Sequence, residues 1–398
     1  MKKYVFFTAD IYPVGGMQLY VSGKAKYLMN EGFSVYAFFS SSATGNTAFP
    51  FLNRFKCGNI TGLAVFPNQI LSSSVNKELE KMKNIVEYAP DDDYFIESQN
   101  DKTAIWAELF AEKVGGKHIC FNCNEVFRGR YKHYSDYLDY FWFKYKRDEL
   151  YGISEKSIPM LFDGYQCLND DKQHVFFAAD DESVQDVDSD IIDNITKSEI
   201  NLCYIGRIEK ECFIDITDGV IDFAEKYRTK KIQYIIVGKC NSVQELDIKS
   251  RVKNIPNISV YFAGNLVPIP RKLFTKTDVV LAASGCARIS AENGVLSVVA
   301  DANGKFSNGI LGIDTDNALF SDNHYTYIEV LENIFIFGKY SSAQIHLKPR
   351  RQNSFYYAQQ VKLFLNSNIK EDYYDTNNLI SHKRFMSRGT LRYYFGKD

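Results

Sequence analysis

Short apolar runs alternate along the chain with longer stretches in which apolar residues recur at helical spacing. YVFFTA (Tyr4 to Ala9) leads into a helical pattern from Gly16 to Asn30, and FSVYAFF (Phe33 to Phe39) and GLAVF (Gly62 to Phe66) read as strands. SVNKELEKMKNIVEYA reads as helix, DYFIES (Asp93 to Ser98) as strand, KTAIWAELFAEKVG as helix and KHICFN as strand, with ELYGIS (Glu149 to Ser154) closing the series. Such alternation predicts a parallel sheet flanked by helices.

A second series begins at Ile200. INLCYIG precedes a helical stretch from about Ile214 to Tyr227, and KIQYIIVG, ISVYFAG, DVVLAAS and LSVVAD follow as strands. These runs are almost continuously apolar, as strands covered on both faces are. The acidic, turn-rich stretch DDESVQDVDSD (Asp180 to Asp190) separates the two series. The expected architecture is α/β: two Rossmann-like doubly wound domains facing across a cleft. Residues 1–170 form the first domain, 171–198 the connection, 199–365 the second domain, and 366–398 a helical tail packing back on the first. The chain's 398 residues suit two cores better than one.

Composition narrows the function. A net charge of −2 lacks the basic footprint of a nucleic-acid binder. No run reaches the roughly 18 apolar residues of a membrane helix. The apolar part of MKKYVFFTAD is too short for a secretory signal, so a cytoplasmic protein is expected. The eight cysteines are dispersed, unlike a disulfide framework, and the single CxxC (Cys120, Cys123) lacks the second pair of a structural zinc site. Buried thiols on a strand are the favoured reading, and His118 in that strand is read as a packed core histidine. The terminal ISHKRFMSRGTLRYYF carries Lys383, Arg384, Arg388 and Arg392 among aromatics. It suits a docked helix with a solvated basic face, or a contact with anionic lipid.

Ligands of open α/β sheets collect at the carboxyl ends of strands. Gly15 and Gly16 follow the first strand and open the first helix, where unpaired N–H groups and a partial positive charge favour phosphate. Two glycines alone are also ordinary turn chemistry. Arg207 follows INLCYIG, with Lys210 three residues on; such cations can hold a diphosphate or form a solvated strand-end pair between Glu209 and Glu211. Glu292, expected at a helix start, can accept hydrogen bonds from a ribose or simply cap the helix.

In combination, D-x-Y-P-x-G-G near the N-terminus, YIGRIEKE, KIQYIIVGK, VYFAGNL and a Glu before a strand resemble the retaining glycosyltransferases of the GT-B fold, and more narrowly family 4. The resemblance runs in order over about residues 4–310. It implies a nucleotide-sugar donor held mainly by the second domain and a saccharide or lipid-linked acceptor on the first. It also implies a transferase that needs neither divalent metal nor cofactor. Gly15 and Gly16 would offer backbone N–H groups to the donor, and Arg207 and Lys210 would stabilise its leaving diphosphate. The backbone around Leu266 and Val267 would contact the base, Ser284 and Gly285 would border the donor sugar, and Glu292 would hold the ribose.

Two departures stand out. The family has two glutamates separated by seven residues; Glu292 fits the second, while Ser284 occupies the place of the first, as in members with a small-residue, glycine-containing variant. A histidine often found after the fourth strand is not evident, and Asn124 lies near its position. Glu97, Asn100, Asn124 and Glu125 are acceptor-side candidates. The expected role is cell-surface polysaccharide synthesis in a bacterium. The rivals are a catalytically decayed GT-B protein that partners an active transferase, and a nucleotide-sugar epimerase.

Overall fold

The structure is a computed structural model and describes residues 1–11, 15–40, 56–124, 135–166, 168, 174–176, 183–302, 305–365, 372–379 and 388–395. It divides into two compact units, Met1–Asp180 with Arg351–Asp398, and Asp181–Arg350.

The first unit holds six parallel strands: β1 (Lys2–Phe7), β2 (Ser34–Phe39), β3 (Lys56–Asn59), β4 (Asp93–Ser98), β5 (Lys117–Asn122) and β6 (Leu150–Gly152), in the order β3-β2-β1-β4-β5-β6. Successive side chains on a strand point to opposite faces. In β1, Tyr4 and Phe6 enter one core with Ala37, Phe39, Phe95 and Phe121, while Val5 and Phe7 enter another with Phe38 and Ile96. Both faces are covered, which is why the strand is apolar throughout. Its polar start is also engaged: buried Lys3 donates to the carbonyls of Val86 and Glu87 and pairs with Asp92 at 2.6 Å.

Helix α1 (Gly16–Asn30) lies on the first face. Helices α2 (Ser72–Ile85) and α3 (Asp101–Val114) lie on the second, where fully buried Trp106 donates Nε1–H to the carbonyl of Val65 at 2.8 Å. Helix α4 (Ser135–Lys146) covers the β5–β6 side. One expected strand is not a strand. Thr61–Ala64, overlapping the start of the apolar GLAVF, is a 3-10 turn that buries Leu63, and the outer pairing partner of β2 is the polar segment Lys56–Asn59.

The second unit repeats the design. Its strands β7 (Ile200–Ile205), β8 (Ile232–Val237), β9 (Ile258–Gly264), β10 (Val279–Ala282), β11 (Leu296–Ala300) and β12 (Ser307–Ile310) stand in the order β9-β8-β7-β10-β11-β12. All pair in parallel except β12, which runs antiparallel to β11. Helices α5 (Glu211–Lys226), α6 (Ser242–Val252), α7 (Gly285–Glu292) and α8 (Tyr327–Phe335) accompany them. Leu202, Tyr204, Tyr234 and Leu281 face one core, and Cys203, Ile205, Ile235 and Val280 the other. The acidic connection is structured near its middle, where Val184 and Gln185 pair with Ile269 and Pro270.

The chain then returns to the first unit. Helix α9 (Asn353–Leu365), grouped by sequence with the second domain, packs Tyr357 and Phe364 into the core around α1, and α10 (Arg388–Phe395) follows. Among the described residues no helix is long and apolar enough to cross a membrane.

Candidate functional site

Each sheet reverses direction of growth at its centre, between β1 and β4 in the first unit and between β7 and β10 in the second. Such switch points leave a crevice at the carboxyl ends of the strands. The sequence-derived candidates divide between these two edges.

In the second unit the edge is built from backbone. Gly206 N–H donates to Val237 O at 3.0 Å and Gly238 N–H to Gly264 O at 2.9 Å, so the three strands end side by side. A Cβ on Gly238 would lie 2.3 Å from the carbonyl oxygen of Gly206, so only glycine allows these loops to touch. Buried Tyr204 donates its hydroxyl to the carbonyl of Arg207 at 2.8 Å and pins the loop. The Arg207 side chain is exposed and has no ion pair or side-chain hydrogen bond among the described residues. Half-buried Lys210 stands at the N-cap of α5, its N–H donating to Arg207 O at 3.2 Å.

The strand beside β7 delivers the next candidates. Ala282 is paired with Ile205, so Ser284 and Arg207 each lie two residues beyond a matched pair. Ser284 has φ 56° and ψ −130°, a backbone conformation open to glycine and strained by a side chain. Its N–H donates to Ala318 O at 2.9 Å, which holds the strained residue in place. Helix α7 starts immediately after, with no acidic residue in its first turn and no side-chain cap, and a Cβ on Gly285 would meet nothing within 4 Å. The first N–H groups of a helix have no partner within it, so this terminus suits an anion.

Glu292 differs from expectation. It is the last residue of α7, not part of its start, and its Oε1 accepts from Arg288 Nε at 2.9 Å one turn earlier. Leu266 and Val267 are half-buried just beyond β9, Leu266 against the core near Ile269 and Leu273.

At the first unit's edge, Gly15 is the extended N-cap of α1 and Gly16 its exposed first residue, again with no side-chain cap and no acidic residue in the first turn. Glu97 is not at the surface. It is fully buried and pairs with fully buried Lys24 of α1 at 2.5 Å, while accepting from the Tyr4 hydroxyl at 2.5 Å. Lys24 also donates to the Tyr20 hydroxyl, which donates in turn to Gln360 of α9 at 2.8 Å. Burial outweighs the attraction of Glu97 and lowers the Lys24 pKa. Glu97 thus ties α1 to the sheet through Lys24 and exposes no surface to solvent.

Asn100 caps α3: its side chain accepts from Thr103 N–H at 3.1 Å, and the Thr103 hydroxyl lies 3.1 Å from the Asn100 N–H. Asn124 is half-buried, with its N–H donating to Asn122 Oδ1 at 2.9 Å and its Nδ2 buried without a partner among the described residues. Glu125 lies outside the described residues. Thr8 Oγ1, Gln99 Oε1 and Asn122 Nδ2, at the ends of the adjacent strands β1, β4 and β5, are also buried without partners among the described residues. These residues were missed from sequence; their only signal is that each is polar at or just past the end of an apolar run.

His118 belongs to a sealed network. Its Nδ1–H donates to Glu108 at 2.7 Å, so Nε2 of the neutral ring accepts from the Ser98 hydroxyl at 2.9 Å. Lys144 pairs with Glu108 at 2.9 Å and with Glu149 at 2.6 Å. Burial and the Lys144 charge push the His118 pKa down to about 4, against the pull of Glu108. Burial would raise the Glu108 pKa, but Lys144 and His118 beside it hold it well below the usual carboxylate range. A serine, a histidine and a carboxylate line up here, yet all three are buried and act as a core clamp. Burial likewise pushes the Cys120 thiol up to about 12, which keeps it protonated and inert. Among the described residues no three His, Cys, Asp or Glu side chains are grouped to hold a metal ion.

No family model matches the chain, and no curated protein matches it in sequence. In three dimensions it is similar to S. aureus MnaA determined with UDP, at 12% identity over 94% of this chain and 99% of that one, with a TM-score of 0.56. UDP-GlcNAc 2-epimerase from Neisseria meningitidis bound to UDP-GlcNAc is 12% identical over 92% and 100%, with a TM-score of 0.51. A glycosyltransferase from Rickettsia africae is 14% identical over 95% and 96%, with a TM-score of 0.56. At such identities the likeness establishes the fold alone: a GT-B-like chain of two Rossmann-like units.

Proposed function

We propose that the protein is a glycosyltransferase that takes a sugar from a nucleotide-sugar, of the uridine diphosphate kind, and delivers it with retention to a saccharide or lipid-linked acceptor. The observation that carries this reading is the second unit's switch point. An exposed Arg207, with no side-chain partner among the described residues, and the open start of α7 after strained Ser284 stand at the ends of adjacent strands. Support comes from the neighbours, among them a glycosyltransferase and proteins determined with UDP or UDP-GlcNAc.

In the reaction the bond from the sugar's anomeric carbon to the diphosphate oxygen breaks, and its electron pair stays on that oxygen. The acceptor hydroxyl oxygen forms the new bond on the same sugar face, and its proton passes to the departing phosphate. Arg207, Lys210 and the N–H groups at Gly285 would meet the growing negative charge, without a divalent metal. Donors fixed before the charge appears lower the barrier because no reorganisation is needed when it forms. Gly15 and Gly16 would approach the donor through backbone, Leu266 and Val267 would flank the base, and the Glu292 carboxylate would hold the ribose once shared with Arg288. Acceptor hydroxyls, which both donate and accept, suit the uncharged polar set of the first unit, of which Asn124 is the half-buried member. The narrower reading, retaining family 4 and hexosyl transfer in cell-surface polysaccharide synthesis, is proposed on the ordered sequence motifs from YVFFTA to LSVVAD alone.

The test is a panel of nucleotide-sugars assayed for transfer and donor hydrolysis, with calorimetry for the bare nucleotides. Arg207→Ala should lower turnover on the order of a hundredfold, the loss typical of one transition-state donor. Unchanged turnover refutes the assignment. Ser284 in the place of a family glutamate favours one other reading, a decayed shell that binds nucleotide and partners an active enzyme. Nucleotide binding without turnover by the purified protein would select it. Conversion of a free UDP-sugar without acceptor would select an epimerase.

A further inference from the structure

Helix α10 presents apolar side chains to solvent. Thr390 is buried against the first unit, and Tyr393 is half-buried with its hydroxyl donating to Glu78 Oε1 at 3.2 Å. Leu391, Tyr394 and Phe395, one helical turn apart on another face, are 40%, 40% and 71% exposed. Leu71, 55% exposed at the start of α2, adjoins this face, since its N–H donates to the Tyr394 hydroxyl at 2.8 Å. Ordinary surface helices turn polar residues outward, so a contiguous apolar face marks an interaction surface.

Charge decides the partner. Lys383, Arg384, Arg388 and Arg392 fall within ten positions, and no acidic residue occurs between Asp375 and Asp398, in a chain whose net charge is −2. A run of cations in the same stretch of sequence as an aromatic and aliphatic helix face matches an anionic bilayer surface, which attracts cations while apolar tips enter the headgroup boundary. A protein partner of matching apolar shape would not need the basic run.

We propose that α10, with Leu71, docks the first unit on an anionic phospholipid surface. This deepens the function above by bringing that unit to a lipid-linked acceptor, but the docking is measured without nucleotide, so either can fail alone. The full chain is floated with phosphatidylglycerol–phosphatidylcholine vesicles and with phosphatidylcholine vesicles. Binding to the first, little to the second, and release at about 0.5 M salt are expected, since exposed charges are screened there within a few ångströms. Leu391→Asp with Phe395→Asp should weaken binding about tenfold or more, because charge is placed where apolar tips enter the boundary. Both side chains are exposed, so unchanged tryptophan fluorescence should confirm an intact fold. Absence of anionic-vesicle binding, or equal binding by the double variant, overturns the proposal. A concentration-dependent dimer that the double variant abolishes, with no vesicle binding, also overturns it and assigns the face to a second copy.

Discussion

Glu97→Gln separates a structural carboxylate from an acceptor-binding one. In the native protein Glu97 and Lys24 are both fully buried and 2.5 Å apart. The glutamine keeps an acceptor for the Tyr4 hydroxyl but leaves the Lys24 ammonium without its counter-charge, among the rings of Tyr4, Tyr20 and Phe121. Breaking such a pair on one side costs about 3–5 kcal/mol, a large part of the ordinary stability of a domain, about 5–15 kcal/mol. Removing the second charge as well, with Lys24→Met, should restore at least about 2 kcal/mol, because two desolvated charges are replaced by neutral groups. Trp106 and Trp142 are the only tryptophans of the chain and both lie in the first unit, so urea unfolding followed by their fluorescence reads that unit selectively. A double variant as unstable as the sum of the single ones would refute the buried-pair argument. So would a stable Glu97→Gln protein whose only defect is a raised KM for acceptor.

Acid should destabilise the first unit through His118. Its pKa is about 4 when folded and near 6.5 in an open chain, so below pH 6.5 the unfolded state takes up a proton that the native state refuses. Stability should therefore fall between pH 6.5 and 4, by about 3 kcal/mol at most from this group, and His118→Gln should flatten that slope in urea titrations. The depressed Glu108 pKa acts in the same sense at lower pH, since its stabilisation is present above the unfolded carboxyl value and lost as acid protonates it. An unchanged slope in the variant would show that His118 is not held neutral. Ser284→Gly should stabilise the second unit by up to about 2 kcal/mol, the strain of about 1–3 kcal/mol being relieved at a smaller entropic cost to the unfolded chain. Ser284→Ala should change little. Hydrogen exchange in the second unit gives the comparison, and equal behaviour of the two variants would contradict the strain.

Several elements depart from their local sequence pattern for identifiable reasons. Strand β3 carries no apolar signal because an edge strand needs only backbone partners, and KCGN is polar, whereas GLAVF is apolar because Leu63 and Val65 lie beneath helices. Asn100 carried a local capping signal, with Thr103 three residues on, and that signal was outweighed by its position after a strand. Glu292 moved from the start to the end of its helix because Ser284 turns the chain so early.

What the sequence by itself determined is the repeated strand–helix order, the apolar strands buried on both faces, and the chemical types at the strand ends. These are local properties, written in periodicity and in the residues that interrupt it. Only the tertiary structure decided which strand ends are neighbours, so that Arg207 and Ser284 end on adjacent strands. It also decided that Glu97 meets Lys24, 73 positions away, inside the core. Such pairings depend on strand order and burial, and no local pattern encodes the distance between two residues that only folding brings together.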